Sequence, residues 1–457
     1  SNFSDEAGGA IKTTLATITK SRFIGNSSNE WGGAISSTGA LTVTECLFLR
    51  NDSQQAGGAI DTTSGATIVR SEFNTNTVAA VGGNGGAIST AVLSADDSLF
   101  VNNTAEGSGG AVSADAATVT ASRFVGNEAF GYGGGAMSVG VATIDASSFV
   151  GNKAEDDTNG NGGAIYTAAP PGETTEVRGS QFVSNTANLN GGALLANGAL
   201  SIDSSSFVSN VTYDGGAVYA FTDLTISASS FTLNETLHYG GAIFVFDGAV
   251  DIESSTLTSN TGTFGGAVYM NAGQLTSVDS RFVGNRATDG FGQGGAINAP
   301  NVTVETSDFV ANTTELDGGA IYAYEELGVE ASTFTSNQAV NGGALYAALI
   351  AHIVESDFTG NDATNAGGAL YVYRDGAGPE EMDVSVSDST LTENTAASGD
   401  DVVIEVINDA TGSASICGVT EEISSEAAIV VDFACPFSEL IDTSGTVFYV
   451  AQSGVPA

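Results

Sequence analysis

The acidic segment Asp157-Thr158-Asn159-Gly160-Asn161-Gly162 has the residue pattern with which calcium-binding loops begin. The oxygen-bearing side chains of Asp157, Asn159 and Asn161 could converge on one Ca²⁺ ion, which binds carboxylate and amide oxygens, before a glycine turn. A bidentate Glu is expected at the twelfth place of such a loop, but Ala168 stands there. Two interpretations therefore stay open: a calcium site at these three residues, or an acidic insertion at a corner.

Fifteen asparagines recur three residues after a phenylalanine or, in two copies, a leucine. An amide repeated at every turn of a chain can hydrogen-bond to its copies above and below and to the corner backbone, and Asn also tolerates a left-handed corner. We therefore predict an inward-facing structural ladder, formed by Asn26, Asn51, Asn76, Asn103, Asn127, Asn152, Asn185, Asn210, Asn234, Asn260, Asn285, Asn312, Asn337, Asn361 and Asn394.

Eight Asn-x-Ser/Thr sequons occur, the acceptor pattern for N-linked glycans. Most of them contain an asparagine of the predicted ladder, and an inward-facing side chain cannot carry a glycan. Asn102 and Asn301 lie outside the ladder and are the glycosylation candidates. Cys417 and Cys435 lie 18 residues apart, close to one repeat, so a disulfide is expected in an extracellular protein. The alternative is a pair of buried thiols.

Catalytic groupings are not readable in the sequence. His238 and His352 are the only histidines and belong to different repeats, so no Ser/His/Asp or Cys/His set is evident. A glycoside hydrolase needs two carboxylates at a fixed separation, which 53 acidic residues do not exclude. A lyase needs a basic residue beside an acidic cluster, whereas the 11 basic residues are scattered. We therefore predict no catalytic residues and a protein that is not an enzyme.

The charge balance limits the partners. The 457 residues carry a formal net charge of −42, which repels nucleic acid and anionic lipid. Such a charge also opposes association unless cations screen it, so we expect divalent ions, calcium foremost, or a saline medium, and no other cofactor. No apolar run approaches the roughly 18 residues of a membrane span, so the chain is not expected to insert into a membrane.

A sequence repeat predicts the secondary-structure elements that position these residues. Gly-Gly-Ala followed by an aliphatic residue or Met occurs fifteen times, in steps of 24 to 29 residues. Each repeat holds three short alternating runs, for example Gly33–Ile35, Leu41–Val43 and Cys46–Phe48. Each run is too short for a helix. The pattern predicts an all-β right-handed parallel β-helix, a solenoid of about fifteen coils with three short strands per coil.

The paired strings GGA[ILV] and FxxN resemble the repeat of the polymorphic outer membrane protein family, known from chlamydial autotransporter adhesins. The resemblance covers roughly Asn2 to Gly399. It implies a right-handed β-helix on a cell surface. Autotransporters of this family also carry a C-terminal membrane barrel of alternating strands, which the sequence after Gly399 does not show, and this departure favours a freestanding or polymeric surface protein.

Two further columns accompany the repeat. Ser stands two residues before the Phe or Leu in fourteen of fifteen copies, with Cys46 as the exception, and predicts a small-residue ladder on the inner face. An aromatic residue follows the aliphatic one in seven copies and is expected to face water. These rings could bind a sugar or a neighbouring subunit, or simply stack between coils. They are Tyr166, Tyr219, Phe244, Tyr269, Tyr322, Tyr346 and Tyr371.

Insertions are expected at two corners. Three follow the Asn, near 77–84, 153–161 and 286–293, and two separate the first and second strands, at 168–178 and 374–382. We predict a β-helix over residues 1–399 that starts in mid-repeat. Residues 400–457 are predicted to form degenerate final coils that serve as a C-terminal cap or docking module.

These observations favour an extracellular or cell-surface structural protein. The leading interpretation is a subunit that assembles with copies of itself, end-on or laterally, into a filament, sheath or layer. The alternative is an adhesin-type surface passenger that binds cells or glycans. A carbohydrate-active β-helix enzyme is the third possibility.

Overall fold

A computed structural model describes residues 2–170, 172–375, 382–407, 412–416, 421–425 and 429–431. The chain divides into two compact units, residues 1–273 and 274–457. Every regular element in the described residues is a β-strand, and strands pair in parallel with the equivalent strand of the next coil. The predicted fold class is confirmed as a parallel β-solenoid of about fifteen coils with three sheets per coil.

The first sheet, here called the glycine sheet, contains the strand that follows the glycine pair and the strand after it. In residues 1–273 its strands are Ile11–Thr13, Ala16–Thr19, Ile35–Ser37, Leu41–Thr44, Ile60–Val69, Ile88–Asp96, Val112–Thr120, Met137–Asp145, Ile165–Thr167, Thr174–Arg178, Leu194–Ala196, Ala199–Asp203, Val218–Ala220, Leu224–Ser227, Ile243–Val245, Ala249–Glu253 and Val268–Met270. In the second unit they are Gln274–Val278, Ile297–Glu305, Ile321–Glu330, Leu345–Ala347, Ile350–Val354, Leu370–Asp375, Met382–Ser387, Val402–Ile407, Gly412–Ile416, Glu421–Ser425 and Ile429–Val431.

The second sheet, the phenylalanine sheet, consists of three-residue strands centred on Phe or Leu. The first unit contributes Arg22–Ile24, Leu47–Leu49, Glu72–Asn74, Leu99–Val101, Arg123–Val125, Ser148–Val150, Gln181–Val183, Ser206–Val208, Ser230–Thr232 and Thr256–Thr258. The second unit contributes Arg281–Val283, Asp308–Val310, Thr333–Thr335, Asp357–Thr359 and Thr390–Thr392.

The third sheet, the asparagine sheet, is made of short strands that follow the repeated Asn. Its strands in the first unit are Phe3–Ser4, Ser27–Ser28, Asp52–Ser53, Thr77–Val78, Thr104–Ala105, Glu128–Ala129, Lys153–Ala154, Thr186–Ala187, Val211–Thr212, Glu235–Thr236 and Thr261–Gly262. Those in the second unit are Arg286–Ala287, Thr313–Thr314, Gln338–Asn341 and Asp362–Ala366.

The three sheets do not correspond one-to-one to the three predicted runs. The runs at Gly33–Ile35 and Leu41–Val43 belong to the same sheet, and in Ile60–Val69 the equivalent segments form one continuous strand. The third sheet was missed because two residues are too few to display an alternating pattern. The short strand Asp52–Ser53 nevertheless pairs with the strands of both neighbouring coils.

Each coil turns at three corners, and each corner contains a residue with positive φ. In one coil these are Gly57 at φ 61°, Arg70 at 44° and Thr75 at 54°. Although Asn tolerates this conformation, the repeated Asn does not adopt it, and the residue before it does. A non-glycine residue in this region costs about 1–2 kcal/mol, so the stacking of coils must offset many small penalties.

The core of each unit is a column of parallel rings in the phenylalanine sheet. In the first unit nine rings, from Phe23 to Phe231, stack with centroid separations of 4.5–4.9 Å and interplanar angles of 1–6°. In the second unit the rings from Phe282 to Phe358 stack at 4.6–4.8 Å. The separation equals the spacing of neighbouring strands, so strand pairing sets the ring stacking.

Candidate binding surfaces and the family of the repeat

The fifteen asparagines lie inside the solenoid and satisfy each other's hydrogen bonds. Asn76 Oδ1 accepts hydrogen bonds from the backbone N and the Nδ2 of Asn51, at 3.0 and 2.9 Å. Asn76 Nδ2 donates to Asn103 Oδ1 at 2.9 Å and to the carbonyl of Phe48 at 3.1 Å. Asn76 is fully buried. The ladder residues therefore serve folding and are not available for ligands.

The serine column is a second internal ladder. Ser71 Oγ accepts the backbone N–H of Cys46 at 3.1 Å and donates to the carbonyl of Val69 at 2.9 Å. The Cys46 sulfur takes the same place, with Ser21 N at 3.4 Å and the Thr44 carbonyl at 3.3 Å. Cys46 is a buried free thiol. Its role is thus that of the missing serine in the column.

The two glycosylation candidates differ in accessibility. Asn102 is exposed at a corner with φ 50°. Asn301 is half-buried, and its Nδ2 donates to Glu325 Oε2 at 2.9 Å. Glycosylation of both residues stays a prediction. The disulfide predicted between Cys417 and Cys435 lies outside the described residues.

The segment predicted to bind calcium is hydrogen-bonded to the next coil through asparagine side chains. Asp157 Oδ1 accepts a hydrogen bond from Asn188 Nδ2 at 3.0 Å, and Asn161 Oδ1 accepts one from Asn190 Nδ2 at 2.9 Å. Asn161 Nδ2 donates to the carbonyl of Asn159 at 3.0 Å. These contacts engage two of the three side-chain oxygens proposed as ligands. The calcium site stays a prediction.

The aromatic column of the glycine sheet is largely covered. Tyr219, Phe244, Tyr346 and Tyr371 are only 5–7% exposed, so the expectation that this position faces water is wrong for these four. Within the first unit Tyr219 stacks on Phe244 at 4.5 Å, and within the second Tyr346 lies 4.6 Å from Tyr322. Stacking between coils is therefore the main contact of these rings.

In the first unit the buried rings continue into exposed ones. Tyr239 lies at the corner before the glycine pair and stacks on Tyr269 at 4.4 Å, and it lies 5.5 Å from Phe264. The outer members, Tyr213 and Phe246, are 43% and 47% exposed. We call this set, Tyr213, Tyr219, Phe221, His238, Tyr239, Phe244, Phe246, Phe264 and Tyr269, the aromatic face. It is a contiguous apolar surface with hydroxyl groups.

A carboxylate lies within the aromatic face. Asp214 precedes its glycine pair, and its Oδ1 accepts the backbone N–H of Tyr239 at 3.1 Å and lies 3.3 Å from His238 Nδ1. Burial raises the pKa of Asp214. Burial, followed by the charge of Asp214, raises the pKa of Tyr219 to about 12, so this tyrosine stays protonated at neutral pH.

The second unit repeats this arrangement at Asp317. Burial raises the pKa of Asp317, whose Oδ1 accepts a hydrogen bond from Asn341 Nδ2 at 2.9 Å. Burial and the charge of Asp317 raise the pKa of Tyr322. The signal was readable in sequence, because Asp-Gly-Gly-Ala-[Ile/Val]-Tyr occurs at both Asp214 and Asp317.

Sequence reasoning missed one cluster with catalytic residue types. His352 Nδ1 lies 2.8 Å from Ser385 Oγ, and its Nε2 lies 3.7 Å from Asp383 Oδ2. Both His352 and Asp383 are about half exposed, on the open surface of the sheet. The strand containing Ser385 is paired on both sides, so its backbone N–H groups are engaged and provide no oxyanion hole. The cluster therefore does not support a hydrolase.

Neither a cluster of metal-binding side chains nor a membrane-spanning helix occurs in the described residues. Within these segments no group of three or more His, Cys, Asp or Glu side chains is arranged to hold a metal ion. None of the described segments forms a helix long and apolar enough to cross a membrane.

Comparison with known proteins identifies the repeat. The family model of the Chlamydia polymorphic membrane protein repeat matches residues 20–38, 97–115, 146–168 and 331–348. Each matched segment includes one residue of the serine column, and all four extend through a glycine pair. Searches of curated proteins and of solved structures found no match. The resemblance seen in the GGA[ILV] and FxxN strings is confirmed: the chain carries repeats of the Chlamydia polymorphic membrane protein type.

Proposed function

We propose that this chain is a non-enzymatic passenger displayed at a cell surface, where it adheres through the aromatic face of its first unit. The observation that carries the proposal is the continuity of this face from buried rings to the exposed Tyr213 and Phe246. The match to a membrane-protein repeat supports the surface location.

The chemistry of the face suits adhesion better than catalysis. Contiguous exposed apolar surface is costly in water and commonly marks an interaction site. Rings with hydroxyl groups offer apolar contact and hydrogen bonds together. The repeated Asn and Ser side chains are engaged in the internal ladders. Specificity for a ligand must therefore come from the surface residues that differ between repeats.

The test is adhesion of beads coated with the purified chain to cells and to immobilised glycans. The variant Tyr213→Ser/Phe246→Ser removes the two most exposed rings of the face and is expected to lower bead retention several-fold. Phe291→Ser, which removes a 71% exposed ring in the second unit, is the matched control. Equal retention by the wild type and the double variant, with unchanged circular dichroism, would reject the aromatic face as the adhesive surface.

Self-assembly is the second candidate, and the phenylalanine sheet supports it. The residue after Phe points outward and is aliphatic in most coils of the first unit, with Asn74 as an interruption: Ile24 is 40% exposed, and Leu49, Val101, Val125, Val150, Val183 and Val208 are half-buried. Such a column could pack against a second copy once cations screen the charge. Sedimentation at increasing CaCl₂ and after chelation tests this, and a monomer under all conditions would reject it.

A further inference from the structure

The first insertion of the first unit forms one wall of a cleft. The cleft has a volume of about 440 Å³ and is lined by Val81, Glu106, Phe130, Tyr132 and Asp156, with glycines from three successive coils. It lies at the corner that follows the asparagine sheet, where three of the insertions occur. It is separate from the aromatic face and independent of the proposed adhesion.

Glycine backbones form the floor of the cleft. A Cβ atom on Gly107 would lie 2.7 Å from the carbonyl carbon of Gly82, and one on Gly131 would lie 2.8 Å from that of Gly107. The Cβ on Gly107 would also lie 2.5 Å from Asn84 Oδ1, so the glycine backbones and the Asn84 side chain together close the floor of the cleft.

The walls are apolar and strongly exposed. Val81 is 95% exposed, Tyr132 69% and Phe130 36%. Large apolar side chains beside a concave surface are well placed to contact a ligand, because a cleft lets several of them touch one molecule. The two rings also present faces with negative electrostatic potential.

Two carboxylates complete the cleft. Hydrogen bonds from the side chain and backbone of Thr158, and then from the backbone of Asn159, lower the pKa of Asp156, which is therefore ionised at neutral pH. Glu106 is exposed on the same surface. Among the described residues that line the cleft, none is Lys, Arg or His.

We propose that this cleft binds an organic ammonium ion, in which an alkyl-substituted nitrogen lies against Tyr132 and Phe130 and its charge is balanced by Glu106 and Asp156. Aromatic faces attract such cations, and the substituents supply apolar contact with Val81. The net charge of −42 raises the local concentration of cations and disfavours anionic ligands.

Titration calorimetry with choline tests the proposal, using the full chain at low ionic strength. The control ligand is the neutral isostere in which a tert-butyl group replaces the trimethylammonium group. Choline is expected to bind at least about fivefold more tightly than this isostere, and the difference should shrink as NaCl is added. Equal affinity for the two ligands would overturn the proposal.

Two variants test the assigned residues. Tyr132→Leu and Glu106→Gln are each expected to weaken choline binding about two- to fivefold, since an exposed cation–π contact contributes on the order of 0.5–1 kcal/mol. Phe291→Leu and Glu253→Gln, which change an exposed ring and an exposed acid elsewhere, should leave the affinity unchanged. Wild-type affinity in both cleft variants, with unchanged circular dichroism, would contradict the assignment.

Discussion

At the scale of single residues, this solenoid depends on the hydrogen bonds of its buried ladder amides. An interior ladder amide such as Asn76 uses both of its N–H groups and its oxygen, and each bond joins neighbouring coils. A buried polar group left without a partner costs about 1–3 kcal/mol. Removal of one amide should therefore destabilise the fold by more than the loss of that amide's own hydrogen bonds, because a buried group that bonded to it is left without a partner.

Asn76→Ala is expected to destabilise the protein by at least about 3 kcal/mol, because it leaves the buried N–H of Asn51 unpaired and removes the side-chain hydrogen bonds to the Phe48 carbonyl and to Asn103. Asn74→Ala, two residues away on the outer face, should change stability by less than about 0.5 kcal/mol. Urea denaturation midpoints of both variants provide the comparison. A similar shift in the two variants would contradict the ladder's role.

The glycine pairs allow a second matched comparison, because two glycines with nearly equal φ have different surroundings. Gly162 and Gly151 have φ of 62° and 61°. A Cβ on Gly162 would lie 2.1 Å from the carbonyl oxygen of Ile165, whereas one on Gly151 would meet nothing within 4 Å. Gly151→Ala should thus cost only the left-handed conformation, about 1–2 kcal/mol.

Gly162→Ala is expected to cost well over 3 kcal/mol, because the coil must also move its backbone to remove the clash. Thermal unfolding of the two variants measures the difference. If both variants melt at the same temperature, Gly162 is required only for its positive φ, and its close approach to the Ile165 carbonyl does not add to the cost of the substitution.

Asp61 provides a test of pH dependence. Burial raises the pKa of Asp61 to about 6, from 3.8 in the unfolded chain, although a hydrogen bond with Ser89 acts in the opposite direction. The folded state therefore disfavours the ionised form. The contribution of this group to stability is complete below pH 3.8 and is lost as the pH rises through about 6.

Asp61→Asn is expected to stabilise the protein by about 1–3 kcal/mol at pH 7.5 and to change little at pH 3.5. Asp251→Asn, at an exposed position of the same sheet, removes the same charge and is the control. Urea titrations across this range measure the difference. A gain for Asp61→Asn that is independent of pH would contradict the assignment.

At the scale of the elements, the coil was predictable because two motifs, the glycine pair and Phe-x-x-Asn, recur with the same period. The strand pairing of Phe73 with Phe48 on one side and Phe100 on the other follows directly from aligning these strings. The asparagine sheet was not predictable from alternation, since its strands mostly have two residues. These short strands form because they pair with the strands of neighbouring coils, and the intrinsic β-propensity of two residues does not predict such tertiary pairing.

The candidate sites were less predictable than the coil. His352 and Ser385 stand six residues before Phe358 and Leu391, so the same alignment places them side by side, although 33 residues separate them. The aromatic face and the cleft depend on how much of each ring its neighbours cover. Sequence position sets which column a ring belongs to but not its exposure.

The insertion that contains Val81 is an element that should be removable. Val81 and Gly82 are exposed, whereas Gly83 is buried and its carbonyl accepts a hydrogen bond from Gly107 N at 2.8 Å. Deletion of 81–83 should cost about 1 kcal/mol for this bond while the coils on either side remain paired. Choline binding in the cleft should fall below detection.

Circular dichroism and calorimetry on this deletion separate the two expectations. A folded deletion that binds choline as the wild type does would show that the insertion is not a wall of the binding site. A matched deletion of residues 288–290, in the third insertion, should leave choline affinity unchanged.

At the scale of the whole molecule, charge is the dominant feature. The 53 acidic side chains outnumber the 11 basic ones, and ion pairs such as Lys12–Glu6 and Arg70–Glu45 lie at the surface, where each contributes little. A parallel solenoid places equivalent residues about 4.8 Å apart, so like charges in one column repel at short range. Stability should therefore rise with ionic strength.

We expect the melting temperature to increase by several degrees as NaCl is raised from about 10 mM to 500 mM, where the Debye length falls from about 30 Å to a few ångströms. CaCl₂ at matched ionic strength separates screening from specific binding. If Ca²⁺ binds at Asp157, Asn159 and Asn161, a further increase should appear at low millimolar Ca²⁺ and disappear in Asp157→Asn. If the Asp157→Asn variant keeps the further increase in melting temperature, the calcium effect is diffuse screening of charge. If the melting temperature does not change with any salt, repulsion between columns of acidic side chains does not limit the stability of the fold.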